Sequence, residues 1–304
     1  MKPIYIYRKF KKKETSPFPI NLKYVLQLIK SPFREYFYTK LCMVENDKLF
    51  IKLFRYFKIF FCPKVKNLTK EGNLFKLTDE NFNYFFSKRE PMILNFNGNL
   101  ARKKRLIREW LLKEDFIKNI TDGDTIIDIG SNIGEVSYIL GENKNLVHFL
   151  IEPEIAELEC SKKNLENFDI KAKYLNYLLW KESVDVNFFA ANETHDSSIF
   201  DDEDGKISRK VNAKKLDDLE EIKDCKEIKL LKIEAEGAEP EVLEGSKMTL
   251  EKTHYVLVDV GPERGKNHEI TLKDSFNFLI DNNFRLIDIG FPRINGLFKN
   301  NKFS

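Results

Sequence analysis

The chain has 304 residues, 42% hydrophobic and 33% charged, enough for one large core with an appendage, since domains typically run to ~100–200 residues. Its net charge of +3 conceals a split: residues 1–70 hold 17 Lys and Arg against 4 Asp and Glu, and the remainder holds 34 against 44. A basic front on an acidic body points to an anionic partner for the front, while the widely spaced Cys42, Cys62, Cys160 and Cys225 argue against a zinc cluster or disulfide framework and favour a reduced, cytoplasmic setting.

The N-terminus MKPIYIYRKFKKK lacks the apolar core and cleavage site of a signal peptide. RKFKKK, 8–13, reads as a solvated charge run, so nucleic acid is not the expected partner. No stretch of ~18 apolar residues occurs, and no membrane-spanning helix is expected. Pro3, Pro17, Pro19, Pro32 and Pro63 interrupt short aromatic-basic segments, which predicts a small helical extension over residues 1–70 with no sheet of its own. In LFIKLFRYFKIFFC, 49–62, a helix would line Lys52, Arg55 and Lys58 along one side and fill the rest with Phe and Leu. That pattern suits either an anionic headgroup layer, engaged through residues 1–65, or docking on a core.

Residues 71–304 read as one domain. NYFFS and MILNFNG, either side of KREP, are expected to pair and to feed a helix at 99–114. DTIIDIG, LVHFLIE and KAKYLNYLLW then read as strands, with helices in IGEVSYILGE and PEIAELECSKKNLENF between them. VDVNFFAA extends the sheet or forms a hairpin, and 191–212 reads as a polar loop. EIKLLKIE, HYVLVDV and FRLIDIG supply later strands, with helices at 239–251 and 271–282. This alternation predicts an α/β fold with a mostly parallel, doubly wound sheet.

In such sheets, ligands meet the carboxyl ends of the strands. In DIGSNIG, 128–134, Gly130 and Gly134 permit a tight turn and Asn132 tolerates an unusual dihedral. Glu152, ending FLIEP, suits a bidentate hydrogen bond to ribose hydroxyls. The loop offers G-x-x-x-G rather than the G-x-G-x-x-G of pyrophosphate sites, so S-adenosylmethionine is favoured over a nicotinamide cofactor.

DIGSNIG, IEPEIAELECSKKNLEN, DSSIF, KKLDDL and LLKIEAEGAEPEVLEGS together resemble the FkbM-type S-adenosylmethionine-dependent methyltransferases, over roughly 82–298. The resemblance implies the class I methyltransferase sheet, seven strands with the last antiparallel, and methyl transfer to oxygen. It implies that Asp128, Gly130, Ser131, Asn132 and Gly134 hold the methionine part of the donor, and that Glu152, beside Pro153, holds its ribose. The family's K-I-D-x-E-G-x-E falls on Lys232, Ile233, Glu234, Glu236, Gly237 and Glu239. Ser131 stands where alanine is usual, Glu234 where aspartate is, Ala235 where valine is, and Asp259 where many relatives have a strand-ending Glu.

Strand alternation would send Lys232, Glu234 and Glu236 to one side, where the resemblance places the transferable methyl. Glu234 or Glu236 would then take the acceptor's proton, with Lys232 offsetting their crowding; His195, in a loop, is an alternative base. Acids at 236–244 also suit the start of a helix, and Asp217 and Asp218 read as another helix start. No metal site is expected, for no His or third acid lies at ligand spacing. Asp259 and Glu263 are candidates for the acceptor side, with Arg264 to anchor an acidic acceptor. The expected activity is O-methylation of a sugar hydroxyl in a surface glycan or lipid-linked precursor. The alternatives are an NAD-dependent oxidoreductase and a non-catalytic glycan- or nucleic-acid-binding protein.

Overall fold

A computed structural model describes residues 33–63, 65–79, 83–89, 114–142, 144–190, 197–200, 207–290 and 294–303. The chain divides into two compact units, Met1–Cys62 and Pro63–Ser304, a division ahead of the composition change near residue 70.

The first unit contains helix α1, residues 33–42, and α2, Asp47–Phe61. Asn46 begins α2 by accepting a hydrogen bond from the Leu49 amide at 3.0 Å, the usual device for an orphaned first-turn donor. Phe50, Phe54 and Phe57 form its buried face, with the Tyr38 ring 5.5 Å from that of Phe57. No helix among the described residues is long and apolar enough to cross a membrane.

The second unit opens with an antiparallel meander of β1 (Asn67–Glu71), β2 (Leu74–Thr78) and β3 (Asn83–Phe86). NYFF is thus a strand, but it pairs with β2; MILNFNG, its expected partner, and most of the helix expected at 99–114 lie outside the described residues. After α3 (Glu114–Ile117) the alternation begins: β4 (Thr125–Ile129), α4 (Glu135–Gly141), β5 (Val147–Ile151), α5 (Ile155–Glu166) and β6 (Ala172–Leu175). Asn164 of α5 bonds both the amide and the carbonyl of Phe85, at 2.8 and 3.1 Å, which pins the meander to the helix.

β7 (Asp185–Ala190) and β8 (Ile207–Asn212) follow as a separate antiparallel hairpin. VDVNFFAA therefore does not extend the main sheet, and part of the expected loop 191–212 is its partner strand. Alternating residues explain this: Phe188 and Val186 close a small core with Leu178, Ala213 and Val211, while Asp185 and Asn187, paired with Asn212 and Lys210, fall on the other face.

α6 (Glu220–Lys223), β9 (Ile228–Ile233), α7 (Glu239–Glu244), α8 (Lys247–Glu251) and β10 (Thr253–Asp259) come next. The single helix expected at 239–251 is two, broken where Gly245 and Ser246 leave helical dihedrals; Gly245 lies so close to Trp180 that a Cβ would stand 2.3 Å from its carbonyl oxygen. A short ribbon of β11 (Pro262–Arg264) and β12 (Glu269–Ile270), then α9 (Leu272–Asp281), β13 (Phe284–Gly290) and β14 (Asn295–Asn300), complete the chain.

The main sheet has the order β13-β14-β10-β9-β4-β5-β6. β14 alone runs against its neighbours β10 and β13; this is the class I methyltransferase sheet. Its core strands are buried along nearly their whole length, as with Ile127, Leu231, Val256 and Val258, as expected where helices cover both faces. The chain winds outward from β4 through β5 and β6, then returns to β9 on β4's other side. The carboxyl ends of β4 and β9 therefore flank a topological switch point.

Candidate functional site

A cleft lies at that switch point. Gly130, Asn132, Glu152, Pro153, Glu234 and Glu236 line it, together with Ile129, Ile151, Tyr177, Leu178, Leu179 and Phe188. Strand register builds its floor. Asp128 of β4 lies directly beside Lys232 of β9, and the buried ammonium of Lys232 stands 3.1 Å from Asp128 Oδ1 and 3.1 Å from Glu234 Oε2. Lys232 also donates to the carbonyls of Ile129 and Gly130, at 3.0 and 2.7 Å. Burial pulls its pKa down, but the two carboxylates outweigh that and hold it above the ordinary lysine value. Lys232 is a fixed cation and no base.

The turn after β4 is shaped by what it approaches. Gly130 has φ +65°, and a Cβ there would lie 1.8 Å from the carbonyl oxygen of Glu234, so only glycine fits. Asn132, at φ +49°, gives its amide to Glu152 Oε2 at 2.9 Å, and Glu154 gives its amide to Oε1 at 3.0 Å. Burial raises the Glu152 pKa to about 7, against the lowering pull of those two amides. Asn176, just past the end of β6, fixes the turn after β5 by donating to the carbonyls of Glu152 and Pro153 at 2.8 and 3.0 Å.

Not every sequence candidate reaches the cleft. Asp128 is buried beneath it, where Ser137 donates to its other oxygen at 3.1 Å and ties α4 to the strand. Ser131 is buried. Gly134 serves packing, since a Cβ there would lie 2.6 Å from Leu165 Cδ1 of α5. His195, the alternative base, lies outside the described residues.

β9 ends at Ile233, so strand alternation does not carry on to Glu236. That residue adopts φ +48° in a turn organised by Glu239. One Glu239 oxygen accepts the amides of Ala235 and Gly237 at 2.9 and 3.1 Å; the other accepts the Thr271 hydroxyl at 2.9 Å. Glu239 thus folds the strand end over itself, a task beyond steadying a helix dipole. Arg264 is held by Glu241 through two bonds of 2.9 and 2.7 Å, so its charge is already matched and it does not stand ready for an acidic acceptor. Asp217 starts a helix other than its own: it accepts the amides of Met248 and Thr249, at 2.9 and 2.8 Å, at the head of α8.

The sequence reading missed the wall formed by Tyr177, Leu178, Leu179, Phe188 and Ile199. NYLLW, at the carboxyl end of a predicted strand, was the available signal. Ser198 closes this side, donating to the Glu236 carbonyl at 2.8 Å, while Ser197 donates to Glu154 at 3.1 Å.

The residue set fits an adenosyl sulfonium. Glu152 offers carboxylate oxygens to a ribose diol, the apolar wall suits a purine, and the excess of carboxylates over the single Lys232 favours a cationic ligand.

The sequence profile of the Methyltransferase FkbM domain matches residues 128–286, a little over half of the chain. Hexuronic acid methyltransferase AglP of Haloferax volcanii is 28% identical over 187 residues, 57% of this chain and 75% of that protein. Among solved structures, the chain is similar to magnesium protoporphyrin IX methyltransferase from Synechocystis, with 10% identity and a TM-score of 0.39 over 66% of this chain and 78% of that one. It is also similar to a SAM-dependent methyltransferase from Aquifex aeolicus, with 12% identity and a TM-score of 0.38 over 66% and 97%.

Proposed function

The chain belongs to the FkbM methyltransferase family, whose methyl donor is S-adenosylmethionine, and on that premise we propose that it methylates a hydroxyl oxygen of a sugar. One observation carries the reading: Glu234 lines the cleft shared with Glu152 while its carboxylate is anchored by the buried Lys232. The sugar class rests on the likeness to a hexuronic acid methyltransferase.

S-Adenosylmethionine supplies an already activated methyl electrophile, so the protein must align a nucleophile and receive its proton. Glu234 would do this at the cleft wall: a bound hydroxyl donates its hydrogen bond to the carboxylate, which takes the proton as the O–CH3 bond forms and the methyl's bond to the donor sulfur breaks, leaving S-adenosylhomocysteine as the neutral thioether. Lys232 holds the carboxylate in place beforehand, and the Glu239-braced turn follows directly after it. Glu152 and the turn at Gly130–Asn132 hold the donor, while the wall from Tyr177 to Phe188 excludes water from it. Glu236 and Ser198 border the acceptor. That acceptor belongs to a surface glycan or its lipid-linked precursor. The nicotinamide alternative falls away with the family assignment.

The test is incubation of the purified protein with isotopically labelled S-adenosylmethionine and hexuronic acid-containing oligosaccharides, followed by mass spectrometry. A label on one sugar oxygen, absent with E234Q, is the expected result. Label on nitrogen or carbon, or an E234Q variant as active as the native protein, overturns it.

A further inference from the structure

We infer that the first unit is a docking surface for an anionic lipid bilayer, engaged through the exposed face of α2. The helix spends its buried face on Phe50, Phe54 and Phe57, and the remainder carries two parallel stripes. Leu49, Leu53, Tyr56 and Phe60 follow one another at spacings of four, three and four residues, so they form one continuous ridge. They are 47%, 39%, 61% and 70% exposed, a contiguous apolar strip that a water-facing helix does not need. Beside it run Lys48, Lys52 and Arg55, all exposed and none paired with an acid among the described residues. Ile59, 64% exposed, continues the basic row one turn beyond Arg55. The acids Glu45 and Asp47 stand at the helix start, off both stripes. Phe33, Tyr36 and Phe37 of α1 are also exposed, at 56%, 59% and 49%.

The charge pattern selects the occupant. A second copy of the helix, meeting ridge to ridge, would bring two rows of cations together with no acid to face them. Residues 1–32 hold eight Lys and Arg against one acid, so like charge opposes their covering the ridge. An anionic partner is required, and nucleic acid gives Leu49 and Leu53 nothing to bury against. A bilayer surface with acidic headgroups answers both stripes: the ridge enters the acyl boundary, and the lysines and arginine remain among the phosphates. Residues 1–62 as a whole carry 14 basic against 4 acidic side chains, and 63–304 carry 37 against 44, so the attraction resides in the first unit.

This inference is independent of the methyl-transfer reading. Co-sedimentation of the full chain with phosphatidylcholine vesicles, with and without phosphatidylglycerol, tests it. Binding is expected only when phosphatidylglycerol is present, and it should weaken with added salt. L53S/F60S should lower the partition coefficient at least about tenfold, and K52Q/R55Q more than about tenfold. Both pairs are on the exposed face, and unchanged thermal unfolding shows that each variant is folded. Equal binding to both vesicle types, no binding to either, or binding indifferent to both variants overturns the inference. So does a dimer in light scattering that L53S/F60S dissolves.

Discussion

The ammonium of Lys232 stands 3.1 Å from the Glu234 carboxylate, and the same ammonium lies 3.1 Å from Asp128 on the neighbouring strand. One buried cation thus ties a residue at the cleft wall to the centre of the sheet. Replacing Lys232 by Met leaves Asp128 buried without its counter-charge, and this should cost about 3–5 kcal/mol in urea unfolding. E234Q keeps the Lys232–Asp128 pair, so its stability loss should be much smaller. On the proposed chemistry E234Q still binds the donor in calorimetry and loses about 10²–10⁴-fold in turnover. E234D, one methylene shorter, should retain more turnover than E234Q.

Two glycines with positive φ separate strain from collision. Gly123, at φ +87°, would place a Cβ in open space, so G123A should cost only about 1–2 kcal/mol for the left-handed backbone. Gly130 combines φ +65° with a Cβ position 1.8 Å from the Glu234 carbonyl oxygen. G130A must displace the end of β9 as well, and should cost more than about 3 kcal/mol. Thermal unfolding of the two variants side by side distinguishes the two effects.

The parallel strands were legible because burial on both faces writes itself as runs such as TIIDI and KLLKI. β14 was not: NGLFKN carries the Asn and Gly of a turn, and Gly296 is there because a Cβ would lie 2.5 Å from Phe276 Cζ. That reason comes from another element and leaves no local trace. The same holds in the site. Gly130 and Glu152 announce themselves by position, whereas the burial of Asp128 follows from its register with Lys232, a hundred residues on. Glycines that admit a ligand and glycines that admit a helix look alike in sequence, and Gly134 is of the second kind.

Asp217 illustrates a cap that sequence cannot assign. It lies in a 3₁₀ turn, Leu216–Asp218, yet it accepts two amides and the Thr249 hydroxyl at the head of α8. D217A should lose about 2 kcal/mol by denaturant titration, near the upper end for a helix cap. D217N retains one acceptor oxygen and should lose about half as much. Asp218, whose carboxylate bonds Ser183 at the exposed surface, should tolerate alanine within about 0.5 kcal/mol.

Glu152 makes the protein sensitive to pH in two opposite ways. Its carboxyl pKa is raised from 4.5 to about 7, first by burial, so between those values the folded state binds more protons than the unfolded chain. Stability from this group is therefore full below pH 4.5 and declines as pH rises to about 7, by about 3 kcal/mol in total. E152Q abolishes that titration, and its melting temperature relative to the native protein should be more favourable above neutrality than near pH 5. On the proposed role of Glu152, donor binding runs the other way. A ribose diol donates hydrogen bonds, and the ionised carboxylate accepts them better than the acid. Affinity for S-adenosylmethionine should rise with pH up to a plateau just above pH 7, and E152Q should bind weakly with a flat profile. Calorimetry across this range checks the pair of trends: a native profile as flat as that of E152Q removes Glu152 from the donor site.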